Sequence, residues 1–160
     1  EGLHRDLRQL GQRSALRVGH FLRRGKTVEQ MDLTHFVGDC YVARHRGDVT
    51  ADDARHILEK AGGIERILIA GEITVTEEAA HIFAASGIRL LGNEGQSVGP
   101  EDAPMAVHLA LLGRGIVLLE GVVLKNIPEG RYFLSALPLN LAGADGAPCR
   151  AYLIDMEESP

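Results

Sequence analysis

Residues 39–70 have the sequence DCYVARHRGDVTADDARHILEKAGGIERILIA and decide the fold, because they contain a strand, a helix and a second strand. Residues 39–43 are rich in β-branched and aromatic types, and residues 66–70 form a short apolar run, so both are predicted strands. A helix is predicted from Thr50 to Lys60, with a side-chain cap at its start and two glycines after its end. Apolar strands on either side of a capped helix indicate parallel pairing within a covered sheet.

The same alternation continues toward the C-terminus. Two more capped helices are predicted, at residues 76–86 and 101–112. Four more strands are predicted, at residues 88–91, 116–119, 131–137 and 149–156. The last two strands follow each other without a helix, which indicates an antiparallel portion. The predicted fold class is therefore α/β, a mixed β-sheet with covering helices, and leucines at roughly helical spacing predict a marginal helix within residues 3–18.

Composition excludes several classes of protein. The 160 residues are 45% hydrophobic, which is enough for one domain with a sizeable core, yet no apolar run is long enough to cross a bilayer. Two cysteines more than a hundred positions apart favour a reducing, cytoplasmic setting over a disulfide scaffold. The net charge of -5 argues against general nucleic-acid binding, although the segment 1–26 carries seven basic residues against two acidic ones.

His108 and Glu120 are the candidate site residues that the pattern itself singles out. His108 lies among aliphatic residues of the third predicted helix, and Glu120 directly follows the aliphatic strand 116–119. A carboxylate buried there needs compensation, which a metal ion, a salt bridge to Lys125 or Arg131, or a hydrogen bond from His108 would supply. The two residues can converge, because ligands in such sheets collect where strands end.

Two other patterns suggest little chemistry. The glycine-rich segment 92–104, GNEGQSVGPEDAP, has the glycines of a phosphate loop but no lysine. It also places Glu101 and Asp102 where an anion would bind, in the first turn of the predicted helix. Cys40 and Cys149 occur in strand contexts and are not expected to be catalytic thiols.

Four stretches together resemble the cyclase family of metal-dependent hydrolases, whose best-known members are bacterial kynurenine formamidases. The resemblance covers roughly residues 19–155. The stretches are GHFLRRGKTVEQMDLTHFVGDCYVA (19–43), LLGNEGQSVGPEDAPMAVHLALL (90–112), LLEGVVL (118–124) and PEGRYFLSALPLNLAGADGAPCRAYLI (128–154).

This resemblance implies a swivelling β/β/α-type fold that forms a homo-oligomer. It implies a zinc- or manganese-dependent hydrolase of small amide or acyl substrates, such as N-formyl-kynurenine in tryptophan catabolism. The partner expected is therefore a small-molecule substrate, with no membrane and no nucleic acid. In such enzymes the metal activates water and polarises the carbonyl, while a nearby histidine moves protons.

The family's metal motif, HxGTHxDxPxHF, carries over only at its end. His20 and Phe21 match that ending, so the resemblance implies that His20 is the catalytic proton shuttle. The three metal-ligand positions before it fall on Leu10, Ser14 and Leu16, none of which can act as the family residue does. Downstream, His108 and Glu120 match the remaining metal-ligand positions. We therefore expect a fold that is N-terminally incomplete and half of a metal site.

Two functions remain open at this point. The chain, one domain over 1–160 with an atypical basic segment 1–18 and a family-like core 19–155, is expected to be a metal-dependent hydrolase by descent. The alternative is a non-catalytic homologue that keeps the fold as a binding or scaffold subunit. Docking of the basic segment on an acidic partner is a weaker third hypothesis. Subunit contacts are expected at the C-terminal strands and the helix 101–112.

Overall fold

The computed structural model describes residues 7–11, 14–18 and 25–156. Within these residues the α-helices are α1 (Ala51–Ala61), α2 (Glu77–Ala85) and α3 (Met105–Leu112). The first strands are β1 (Leu7–Gln9), β2 (Ala15–Arg17), β3 (Val37–Arg44), β4 (Gly47–Val49), β5 (Arg66–Ala70) and β6 (Ile73–Val75). The later strands are β7 (Leu90–Asn93), β8 (Val117–Glu120), β9 (Gly130–Ser135), β10 (Gly146–Pro148) and β11 (Tyr152–Asp155).

A mixed sheet of nine strands organises the molecule, in the order β1-β11-β9-β3-β5-β7-β8-β2-β10. The four central strands β3, β5, β7 and β8 are parallel, whereas β11, β9 and β1 on one side and β2 and β10 on the other pair antiparallel. Strands β4 and β6 form a separate parallel pair. The carboxyl ends of β3, β5, β7 and β8 therefore meet at one edge of the sheet.

Each face of the sheet has its own hydrophobic core. The helix-side core contains the inner residues of α1, α2 and α3, such as Phe83 and Leu111, together with Ile67, Leu91 and Leu118 from the sheet. The far-side core lies on the other face, where the sheet curls around its own side chains, among them Leu10, Leu16, Phe36, Leu119 and Leu134. Because side chains alternate along a strand, neighbouring residues of one strand enter different cores.

Local sequence signals account for the helices. Thr50 caps α1 by accepting a hydrogen bond from the Asp53 backbone amide, and Asp53 accepts one from the Thr50 amide in return. The helix ends at Gly62, whose φ of 60° is left-handed. Thr76 caps α2 in a similar way by accepting from the Ala79 amide.

The α/β prediction is confirmed, and strand β5 has the predicted bounds. The marginal helix predicted within residues 3–18 is wrong, because its described part forms the strands β1 and β2. Gly11 between them has a φ of 90°, and pairing with β11 and β8 outweighs a weak helical propensity.

Two boundaries near the C-terminal half also differ from expectation. Helix α3 begins at Met105 rather than at residue 101, because Pro104 stands at its N-cap. Glu101 and Asp102 therefore lie in the preceding loop, outside the first helical turn. The segment AGADGAP (142–148), whose composition predicts a turn-rich loop, contains β10, which pairs with β2. None of the helices in the described ranges has the length and apolar content needed to cross a membrane.

Candidate functional site

The candidate site lies where β7 and β8 end side by side. Gly92 pairs with Leu119 in the parallel register, so Asn93 and Glu120 follow next to each other at the carboxyl edge of the sheet. Both lie two residues beyond members of the helix-side core and therefore face the helices. Helix α3 packs over this part of the sheet and brings His108 to Glu120.

Glu120 is almost completely buried, with 3% of its surface exposed, and both carboxylate oxygens have partners. Its Oε1 lies 3.2 Å from His108 Nε2 and accepts a hydrogen bond from the Val98 backbone amide at 3.3 Å. Its Oε2 accepts from Arg17 Nε at 2.5 Å. Such charge-assisted contacts compensate the loss of hydration that burial imposes on a carboxylate.

His108 is held at both ring nitrogens. Nδ1 lies 2.8 Å from the carbonyl oxygen of Pro104, one turn earlier, and Nε2 faces Glu120. The two contacts fix the orientation of the imidazole ring against the end of β8. The expected convergence of His108 and Glu120, with a hydrogen bond between them, is confirmed.

Of the compensations that the sequence leaves open for Glu120, the structure has the hydrogen bond to His108 and a salt bridge, whose cation is Arg17 rather than Lys125 or Arg131. The antiparallel register pairs Ala15 with Glu120, and Arg17 is two residues further along the same face of β2. Sequence analysis missed Arg17, since its contact depends on a strand pairing that a helical interpretation of this segment excludes.

The protonation of Glu120 follows from these competing effects. Burial raises the pKa of the carboxyl group, but hydrogen bonds from His108 and Arg17 and the charge of Arg17 outweigh burial. The pKa of Glu120 therefore lies below its ordinary value. The site holds a carboxylate anion at neutral pH.

The family resemblance implies metal ligands at residues 10, 14 and 16. In the structure these residues supply no metal donor beside His108 and Glu120. Leu10 and Leu16 are fully buried in the far-side core. Leu16 pairs with Leu119, so both lie on the face opposite to Glu120. The Ser14 hydroxyl donates a hydrogen bond to the Leu10 carbonyl oxygen at 3.1 Å. These positions contribute to packing between β2, β8 and the far-side core.

The described residues do not fit a divalent metal ion. In the ranges 7–11, 14–18 and 25–156 no group of three or more His, Cys, Asp or Glu side chains is arranged to hold one. His108 and Glu120 supply two donors, whereas protein zinc sites use three or four, and a guanidinium already contacts Glu120. His20 lies outside the described residues, so its expected role stays a prediction.

Asn93 is a further buried polar group of this site, with only 1% of its surface exposed. Its Nδ2 donates to the Ser97 carbonyl oxygen at 2.8 Å, and this bond fixes the loop that also supplies the Val98 amide. Its Oδ1 has no hydrogen-bond partner within the described part of the chain. A buried acceptor of this kind can take a hydrogen bond from a ligand or a water molecule.

A cleft of about 840 Å³ opens at the same edge of the sheet. Arg44, Arg46 and Lys125 line it, together with Glu72 and Glu94. Glu94 directly follows Asn93 and accepts hydrogen bonds from the backbone amides of Gly71 and Leu124, so its charge is engaged by the walls. The positively charged side chains of the cleft thus line the same pocket as Glu94, which is adjacent in sequence to Asn93 of the buried site.

The chain is similar to curated bacterial kynurenine formamidases. The enzyme of Salinibacter ruber is 35% identical over 151 residues, which cover 85% of this chain and 71% of that protein. The enzyme of Erythrobacter litoralis is 31% identical over 156 residues, covering 88% and 70%. No family model matches the chain.

Solved structures show the same architecture. A potential metal-dependent hydrolase with cyclase activity has a TM-score of 0.81 at 26% identity, covering 95% of this chain and 88% of that one. A predicted metal-dependent hydrolase from Bacillus stearothermophilus has a TM-score of 0.72 at 25% identity, covering 96% and 88%. An isatin hydrolase from Labrenzia aggregata, at 18% identity and a TM-score of 0.75, shares the fold.

Proposed function

The chain belongs to the kynurenine formamidase family, within the cyclase family of metal-dependent hydrolases, and on that premise we propose that it hydrolyses a small amide. The substrate class is an N-formyl aryl amine, of which N-formyl-kynurenine is the example that the relatives' name suggests. The observation that carries this proposal is the 35% identity across 85% of the chain. The buried pair of His108 and Glu120 supports it.

The chain's own residues suit several needs of amide hydrolysis, which requires activated water, a polarised carbonyl and a proton for the leaving amine. Glu120 is an ionised carboxylate, and its Oε2, which accepts a single hydrogen bond from the described part of the chain, keeps a lone pair that can accept a proton from water. Arg17 donates a hydrogen bond from Nε to Glu120. Its two Nη groups make no hydrogen bond within the described residues, so they can donate to the carbonyl oxygen of a substrate. The positive charges of the neighbouring cleft suit a substrate carboxylate. His20 is proposed as the proton shuttle by resemblance.

The relatives' class implies a divalent ion, and zinc or manganese is the choice that the resemblance favours. His108 and Glu120 would be its ligands in this chain. The described donor set is too small for such an ion, so the steps above assign no role to it.

The test is a direct assay of formamide hydrolysis. The purified chain is incubated with N-formyl-kynurenine in metal-free buffer and then with zinc or manganese, and release of the free aryl amine is followed by absorbance. We expect turnover above the blank, with Glu120→Gln at least about 100-fold slower because the proton acceptor is lost. Glu78→Gln, at an exposed carboxylate of α2 outside the cleft, is the control. No turnover under any of these conditions overturns the proposal.

A second candidate function is a non-catalytic subunit that keeps the family fold. The observation that favours it is the contact between Arg17 and Glu120, together with leucine at two implied ligand positions. A subunit of this kind would bind the N-formyl aryl amine without converting it. Calorimetric binding of N-formyl-kynurenine by a chain that shows no turnover supports this candidate, and turnover by the wild-type chain excludes it.

We further propose that the chain forms a homo-oligomer in the cytoplasm. Exposed apolar side chains support self-association at or beside the two places predicted from the sequence: Met105 and Leu109 lie on α3, Leu137 ends a predicted strand, and Leu139 follows it. Cys40 and Cys149 are both free thiols, which suits a reducing compartment. Molar mass from light scattering and fractionation of the producing cell test the two statements.

A further inference from the structure

We propose that the guanidinium of Arg17 takes the place of the divalent cation of this family, so that the chain holds its His108–Glu120 pair without a metal ion. The proposal deepens the proposed function and shares its premise, which is membership of the family. It concerns the charge balance of the site and not the turnover of any substrate.

The first step of the argument is the demand for positive charge. Glu120 is a carboxylate with 3% exposure that lies between Arg17 and His108, and an uncompensated buried carboxylate is strongly unfavourable. Arg17 Nε meets Oε2 at 2.5 Å, a charge-assisted contact on the oxygen that His108 does not occupy. The guanidinium thus supplies the countercharge that a metal ion supplies elsewhere.

The second step is geometric. Residues of β2 that face Glu120 are Ala15, its direct partner, and Arg17. Neither can donate an electron pair to a metal, since alanine has no donor atom and a guanidinium stays protonated. Leu16 points into the far-side core. Strand β2 therefore presents a cation where a metal site needs ligands.

The third step is that both carboxylate oxygens are already engaged. Oε1 accepts from the Val98 amide and lies against His108 Nε2, and Oε2 accepts from Arg17. Divalent cations would have to displace Arg17 and find further ligands, which the described residues do not provide. A fixed guanidinium is always charged and cannot be removed by a chelator.

The experiment compares wild type with Arg17→Met, Arg17→Lys and the double variant Arg17→Met/Glu120→Gln. Each is treated with chelator, dialysed and titrated with zinc by calorimetry, and its thermal unfolding is recorded with and without zinc. We expect the wild type to bind no zinc at this site and to unfold at the same temperature with and without chelator. Arg46→Met, an exposed arginine of the cleft, is the matched control.

Arg17→Met leaves Glu120 without its cation, so the unfolding temperature should fall by roughly 10 °C, and Arg17→Lys should fall less. Removing both charges in the double variant should restore much of the loss, so this variant tests the ion pair even if Arg17→Met fails to fold. Wild-type protein that binds one equivalent of zinc, with loss of binding in Glu120→Gln and His108→Ala, overturns the proposal. Absence of turnover with no zinc bound overturns only the proposed function.

Discussion

Glu120 obtains its countercharge from a residue 103 positions earlier in the chain. The sequence predicts its pairing with His108, because a carboxylate after four aliphatic residues and a histidine on an apolar helix both have to be compensated within the core. It does not predict Arg17, because that contact depends on the register of β2 against β8. Half of the site follows from local pattern, and the other half follows from strand pairing over a long sequence distance.

Gly71 is a single residue whose replacement should be costly. Its φ is 118°, and a Cβ built there would overlap the carbonyl oxygen of His45. Gly71→Ala should lower the free energy of unfolding by about 3 kcal/mol, because backbone strain and a steric clash add. The measurement is urea denaturation followed by circular dichroism.

Gly47→Ala is the matched control for this substitution. Gly47 also has a left-handed φ, of 77°, but a Cβ there meets no atom within 4 Å. We expect a loss of about 1 kcal/mol from the backbone conformation alone. Equal losses for the two variants would contradict the clash at Gly71.

Among the secondary-structure elements, those predicted closely are the ones with local sequence signals, such as a helix cap or a continuous apolar run. Helix α1 has a capping box at its start and a glycine after its end, and β5 is a continuous apolar run, so both were predicted closely. Strands β1, β2 and β10 have three residues each, and remote partners hold them in the sheet. Three residues are too few for a periodicity, which is why the sequence predicts a helix or a turn there instead.

The cap of α1 gives a prediction for that helix. Thr50→Ala removes the oxygen that accepts from the Asp53 amide and should cost about 1 kcal/mol of stability. Thr50→Ser keeps an oxygen at the cap and should cost less. The measurement is chemical denaturation of both variants, and a loss in Thr50→Ser equal to that in Thr50→Ala would contradict a role for the hydroxyl.

On the scale of the whole molecule, Glu129 connects elements distant in the chain. Its carboxylate accepts hydrogen bonds from Lys60 on α1, from the Tyr41 hydroxyl and from the Arg44 amide on β3. The contact with Lys60 is the main reason why the pKa of Glu129 lies below its ordinary value of 4.5, and partial burial opposes it. This one carboxylate therefore ties the helix layer to the sheet beside β9.

The lowered pKa predicts how stability depends on pH. Since the folded state binds the proton of Glu129 less tightly, its stabilisation is complete above the ordinary pKa of 4.5 and is lost as pH falls through the lower folded-state value. Glu129→Gln should lower the free energy of unfolding by about 1 kcal/mol at pH 7 and change it little at strongly acidic pH. Glu72→Gln, at an exposed position, should shift neither, and a difference between wild type and Glu129→Gln that is independent of pH would contradict this.

The surface of the chain carries exposed apolar side chains that are candidates for subunit contacts. Leu139 is 58% exposed and Met105 56% exposed; Met105 lies in a segment where the sequence predicts subunit contacts, and Leu139 lies two residues beyond another. Large apolar side chains left in water favour association, at about 25 cal/mol per Å² of apolar surface buried.

If these residues form the contact, then Met105→Glu/Leu139→Glu should convert the oligomer to a monomer in light scattering and leave the unfolding of that monomer unchanged. Leu33→Glu, at a position 65% exposed but outside both segments, should leave the oligomer intact. A monomeric wild type, or an oligomer that survives both charges, would instead show that these leucine and methionine side chains remain in solvent, and the subunit contact would have to be sought elsewhere on the sheet edge.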